Sequence, residues 1–205
     1  AMIVLGRLPG VERPAIVVKL PTATGSVILL DAGANVDCKA TTLVQFAIMG
    51  QAYARVVEGI AQPRMGLLSN GSEASKGNEL TRETHDLLSK ISLNKYLGYV
   101  EGYDVFRGTA DVIVCDGFVG NVILKVAEGL GEMVNRWFRH NLKTSVGGML
   151  GIFFMLRLLS EFKSKFNYQA YGAAPLLGVE GVVLIGHGKS TEIAIVNGIL
   201  TAHKA

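Results

Sequence analysis

The sequence predicts an α/β fold: a mostly parallel sheet with helices on both faces. Three observations predict it. Short, unbroken β-branched runs recur along the chain, longer stretches at helical spacing separate them, and glycine-rich polar segments stand where the runs stop. With 205 residues and 49% hydrophobic composition, the chain can bury a sizeable core as one domain or a domain and a half.

Val27-Ile28-Leu29-Leu30 is the first buried strand, halted by Asp31-Ala32-Gly33-Ala34-Asn35. Residues 43–58 follow as a helix, with Leu43, Phe46, Ala47, Met49 and Tyr53 at helical spacing. Residues 64–68 form the next strand, ending in Ser69-Asn70-Gly71. A helix over 80–89 comes after it, with Thr81 as its cap before acidic Glu83. Residues 96–100 make another short strand, and residues 111–115 make the clearest one. That run breaks at Asp116-Gly117-Phe118-Val119-Gly120 and leads into a helix over 121–140. Residues 182–185 form the last strand. Gly186-His187-Gly188-Lys189-Ser190 follows, then a closing helix to Leu200.

The chain opens in mid-flow, on what reads as the end of a helix, so an N-terminal segment is expected before it. Residues 1–25 are then a connection from that segment, and residues 26–140 are the central α/β core. Residues 141–175 are a hydrophobic, basic helical hairpin, and residues 176–205 supply the C-terminal strand and helix.

Lys+Arg 20 against Asp+Glu 17 gives a formal net charge of +3, too mild to imply nucleic acid. No strip of interleaved aromatic and basic residues would stack bases. Cys38 and Cys115 are isolated, which points to a reducing cytoplasm, not to a disulfide framework. No secretory leader is visible at the start, where Arg7, Glu12, Arg13 and two prolines interrupt any apolar stretch. His85, His140, His187 and His203 have no ligand-like neighbours at helical spacing, so no metal is expected.

In parallel sheets, ligands collect at the carboxyl ends of the strands. Four polar loops are expected there. In the first, Asn35 and Asp37 either hold a ligand or serve a polar turn. The second, Asn70-Gly71-Ser72-Glu73-Ala74-Ser75-Lys76-Gly77-Asn78-Glu79, offers an amide, hydroxyls, a carboxylate and an ammonium suited to phosphate. The third has two glycines three apart at a helix start, which suits an anion bound on free N–H groups. It is not the dinucleotide fingerprint, which needs three glycines. The fourth resembles the end of a phosphate-binding P-loop but has Val183 where that motif requires glycine.

Taken together, these loops resemble bacterial phosphate acyltransferase. The stretches that carry the resemblance are Leu30-Asp31-Ala32-Gly33-Ala34-Asn35-Val36-Asp37, Leu43-Val44-Gln45-Phe46-Ala47-Ile48-Met49-Gly50, Lys76-Gly77-Asn78-Glu79, residues 111–121 and Gly186-His187-Gly188. The resemblance implies transfer of a long-chain acyl group from acyl carrier protein to inorganic phosphate, giving acyl phosphate for phospholipid synthesis. It also implies a fold like phosphotransacetylase and isocitrate dehydrogenase, and a homodimer; no cofactor is expected. The family's glycine-rich, aspartate-bearing loop after its first strand is absent from this sequence, and Ser72 stands where the family often has an acidic residue.

On that basis Lys76 is the candidate for phosphate, Asn35 and Asn121 for orientation or oxyanion hydrogen bonds, and His187 for the proton donor. Asp31, Asp37, Asn70, Glu73, Asn78, Asp116, Gly117, Gly120 and Ser190 are candidates for substrate contacts. Two other classes fit part of the pattern: a non-catalytic membrane-surface or carrier-protein-binding module, and a phosphotransacetylase acting on short acyl-CoA.

Residues 146–159 are too short to cross a bilayer yet strongly apolar, and Arg136, Arg139, Lys143, Arg157, Lys163 and Lys165 surround them. Basic flanks about a short phenylalanine-bearing segment suit an anionic membrane surface. The same segment also suits a hairpin buried between two subunits. The expected location is cytoplasmic, with peripheral membrane association.

Overall fold

The computed structural model describes residues 2–73, 75–91, 93, 95–144, 173–186, 188 and 190–204. Its frame is a seven-stranded sheet built from β1 (Ala15–Pro21), β2 (Ser26–Leu30), β3 (Met65–Leu68), β4 (Tyr96–Val100), β5 (Val112–Val114), β6 (Ala174–Leu177) and β7 (Leu184–Ile185). Their order across the sheet is β4-β3-β5-β2-β1-β6-β7. The strands β4, β3, β5 and β2 form one parallel block. On the β2 side, β1, β6 and β7 extend the block by successive antiparallel pairings.

The parallel block follows from composition. β2, β3 and β5 are buried on both faces, so they read as unbroken apolar runs without alternation. On one face, Ile28, Leu30, Met65, Leu67, Val112 and Val114 pack under α2 (Ala40–Val56) and α3 (Glu79–Lys90), which supply Leu43, Phe46, Ala47 and Leu88. On the other, Val27, Leu29, Leu68, Val100 and Ile113 meet Val105 of α4 (Asp104–Arg107) and the start of α5 (Gly117–Thr144). Full burial of side chains such as Phe46 and Leu29 contributes roughly 1.5–3 kcal/mol each. Two further helices, α1 (Met2–Leu5) and α6 (Glu192–Lys204), lie near the chain ends.

β1 is an element the sequence reading left inside a connecting segment. Its burial does not alternate cleanly, and it carries Lys19, whose ammonium pairs with Glu58. It is nonetheless held on both edges, with Val17 opposite Leu30 and Ala15 opposite Leu177. The α3 cap also differs from expectation. Asn78 caps the helix, accepting from the Thr81 N–H at 2.9 Å, and Thr81 is already inside it. At the opposite edge of the block, Asp111 takes Arg64 Nη2 at 2.7 Å and Arg64 Nε at 3.0 Å, stitching the starts of β3 and β5. Burial pushes the Asp111 carboxyl up, but the Arg64 hydrogen bonds outweigh it and hold the group below the usual range.

Among the described residues, no helix is long and apolar enough to cross a membrane. The surface segment expected at 146–159 lies outside the described residues.

Candidate active site

The strands β3, β5 and β2 are parallel neighbours, so the loops that follow them leave from one edge of the sheet. Three of the four expected loops therefore share an edge: 31–37 after β2, 69–78 after β3 and 115–117 after β5. The fourth does not. β7 runs antiparallel to β6, which runs antiparallel to β1, which runs antiparallel to β2. Its following segment with Gly186 and Ser190 thus heads toward the edge where the parallel strands begin. Strand direction, which local sequence does not encode, overturns that placement. His187 lies outside the described residues.

Asp31 is fully buried and functions as a receiver of N–H groups. Its Oδ1 accepts from the backbone of Ile16 at 2.9 Å, Ala34 at 3.1 Å and Gly33 at 3.3 Å. Its Oδ2 accepts from the Asn35 backbone at 2.7 Å and from Asn35 Nδ2 at 2.9 Å. The same Nδ2 donates to the Pro14 carbonyl at 2.7 Å, so the Asn35 amide donors are committed within the protein. The pair joins β1, the 31–35 turn and the strand end into one unit. These bonds place Asp31 and Asn35 in the scaffold, where the sequence reading expected ligand contacts.

The start of α5 is closed in the same way. Asp116 Oδ1 caps the Val119 N–H at 2.8 Å, the Gly120 N–H reaches the Asp116 carbonyl at 3.0 Å, and the Gly117 N–H donates to the Asn35 carbonyl at 2.7 Å. Of the N–H groups expected there as an anion site, those of Gly117, Val119 and Gly120 are occupied. The two glycines answer to packing. A Cβ on Gly117 would stand 2.6 Å from the Asn35 carbonyl oxygen, and one on Gly120 only 1.9 Å from that of Asp31. Asn121, on the exposed side of this joint, lies against Gly33.

The joint also encloses both cysteines. Cys38 donates to the Asn35 carbonyl at 3.5 Å, and burial pushes its thiol up to about 11. Cys115 donates to the Asp31 carbonyl at 3.8 Å, and burial pushes it well above the ordinary thiol range. Neither is a thiolate nucleophile at neutral pH.

The loop after β3 is different. Asn70 Oδ1 accepts from the Gly77 N–H at 2.8 Å, and Arg82 Nη1 donates to the Gly77 carbonyl at 2.6 Å. Gly77 has φ +87°, and a Cβ there would press on Thr81 Oγ1 at 2.3 Å. Asn70 and Asn78 thus hold the loop in shape, while Lys76 is exposed and forms no ion pair among the described residues. Glu73 and Asp37 are exposed at the same edge. Arg82 is the residue the sequence reading missed. Its signal was a cation in the opening turns of α3, where the helix dipole disfavours one.

A groove of about 530 Å³ runs along α5 beside Gly129, Met133, Arg136 and Trp137. It begins twelve residues past Gly117, roughly 18 Å down the helix axis, and so lies apart from these loops. No group of His, Cys, Asp or Glu among the described residues is arranged to hold a metal.

A family model described as "Fatty acid synthesis protein" matches residues 1–205. The chain belongs to this family. Members similar to it include the phosphate acyltransferase of Geobacter sulfurreducens, 55% identical over 203 residues, covering 99% of this chain and 58% of that protein. The phosphate acyltransferase of Acidobacterium capsulatum is 52% identical over 202 residues, covering 98% of this chain and 60% of that protein. The chain thus spans somewhat over half the length of the relatives it matches, and the resemblance read from its loops holds across its whole extent. Among solved structures, a branched-chain phosphotransacylase from Enterococcus faecalis superposes with a TM-score of 0.59 over 97% of this chain and 65% of that one, at 14% identity. That likeness concerns the fold of this fatty acid synthesis family member, and it agrees with the phosphotransacetylase-like architecture expected from the sequence.

Proposed function

We propose that this protein takes part in transfer of an acyl group from acyl carrier protein to inorganic phosphate, with Lys76 holding the phosphate. The observation that carries the reading is the unpaired, exposed Lys76 on a braced loop at the carboxyl edge of the sheet. Membership of a family whose relatives are named phosphate acyltransferase supports the reaction class.

The chemistry asks little of acid–base groups. Monohydrogen phosphate attacks the thioester carbonyl carbon through an oxygen, the C–S bond breaks, and the proton carried by the phosphate ends on the departing sulfur. Charge and protons balance without an enzymic acid. What the protein must supply is placement of a dianion in line with the carbonyl, together with a donor for the developing oxyanion. Lys76 serves the first need as a mobile point charge. Asn121, exposed at the α5 joint, is the proposed donor for the second. Asp37 and Glu73 frame the same edge. The reading extends to a homodimer in the cytoplasm that meets an anionic membrane surface through residues 146–159.

Formation of acyl phosphate from acyl carrier protein, compared with short acyl-CoA, tests this assignment. Lys76→Ala is expected to raise the half-saturating phosphate concentration by roughly tenfold or more, without lowering the melting temperature. An unchanged phosphate requirement would remove Lys76 from the reaction, and preference for short acyl-CoA would replace the carrier protein as donor. Failure of the parent protein to float with anionic liposomes would remove the membrane part.

A further inference from the structure

We infer that Arg82 is a positioning residue that acts through Lys76, a role that rests on the reading of Lys76 as the phosphate-holding group. Arg82 sits four residues past the Asn78 cap, in the opening turns of α3. A cation there opposes the positive end of the helix dipole, so a residue chosen for helix stability alone would be neutral or acidic, as Glu79 and Glu83 are. Its guanidinium turns back over the helix start and donates to the Gly77 carbonyl at 2.6 Å.

From the other side, Asn70, two residues past β3, accepts from the Gly77 N–H at 2.8 Å. One residue is therefore held at both its N–H and its carbonyl, by one side chain from the head of the loop and one from α3. Gly77 occupies the left-handed region, at φ +87°, where the chain reverses between Lys76 and the Asn78 cap. The Lys76 stem lies over Gly71, where a Cβ would come within 2.6 Å of Lys76 Cγ. Fixing Gly77 fixes the backbone from which Lys76 projects, while the ammonium stays exposed and unpaired. The arrangement lowers the ordering cost that phosphate must otherwise meet, which is the physical content of preorganisation.

Arg82 also has N–H groups beyond the one on Gly77, so direct contact with phosphate is the competing role. Non-additivity separates the two: a group that acts only through Lys76 has nothing left to contribute once Lys76 is gone. Arg82→Met keeps length without a donor, and Arg82→Lys restores a donor.

The experiment is nuclear magnetic resonance on the isotopically labelled chain, titrated with inorganic phosphate, together with amide exchange. Arg82→Met is expected to speed exchange of the Gly77 amide roughly tenfold while leaving the Leu67 and Ile113 amides unchanged. It should weaken phosphate roughly tenfold, Arg82→Lys should recover most of that loss, and Lys76→Ala with Arg82→Met should be no weaker than Lys76→Ala alone. Unchanged Gly77 exchange, additive losses in the double variant, or no rescue by lysine would each overturn the inference. If Lys76→Ala leaves phosphate affinity unaltered, the functional reading fails and the inference falls with it. If Lys76→Ala weakens phosphate and Arg82→Met does not, only the inference fails.

Discussion

The loops after β2 and β3 use similar residues and reach opposite ends. Both are glycine-bearing and polar, with Asp and Asn in the first and Ser and Asn in the second, and both leave from the same edge of the parallel block. In the first, the polar side chains of Asp31 and Asn35 are turned inward and only that of Asp37 stays exposed. Asp31 gathers the N–H groups of Ile16, Gly33, Ala34 and Asn35, and the start of α5 closes over it without room for a Cβ. In the second, the inward bonds fall on Gly77 and Thr81, and the one ammonium of the loop is left outside them. A polar residue at a strand end is thus a site candidate only after its hydrogen bonds have been traced.

The sharpest way to break this comparison is Asp31→Ala. It strands the two buried Asn35 donors and the part-buried Ile16 N–H at once, so we expect a loss of about 4 kcal/mol in urea unfolding. A loss below about 1 kcal/mol would mean that the joint is open to water and that Asp31 is available to a ligand. Gly120→Ala comes next. Its Cβ meets backbone at 1.9 Å, with no flexible side chain to yield, and a cost of about 3 kcal/mol is expected.

The smallest effect is kinetic and reads whether the joint stays shut. With the Cys38 thiol raised from 9.0 to about 11, its thiolate fraction at pH 8 falls about 100-fold, and alkylation should slow accordingly. The rate should climb with pH until the folded value is passed, and an ordinary thiol profile would show that burial there is incomplete.

Much of the frame was legible. Unbroken apolar runs located β2, β3 and β5, because strands covered on both faces need no polar alternation, and the short apolar run of edge strand β4 was legible beside them. β1 was not, since Lys19 and Pro21 spoil its pattern and its place comes from distant partners. The reversed direction of β7 was hidden for the same reason, and with it the displacement of Ser190 from the other loops. The inward turn of Asp31 did leave a trace. An aspartate two and three residues ahead of small residues is the pattern of a side chain that accepts from its own following turn. Arg82 left the subtler trace of a cation on the wrong end of a helix.

The placement of β1 has a consequence for how the chain is made. β1 lies inside the finished sheet, yet Ala15 finds its outer partner in Leu177, near the other end of the sequence. A chain emerging from the ribosome can close the four parallel strands and dock β1 on β2 long before β6 exists. Through that interval the Ala15–Ile16 end of β1 lacks its outer partner and presents unpaired backbone groups, the kind of template on which foreign strands assemble. The late strands therefore act as a seal, and the period of greatest exposure to aggregation is the time taken to synthesise everything between them.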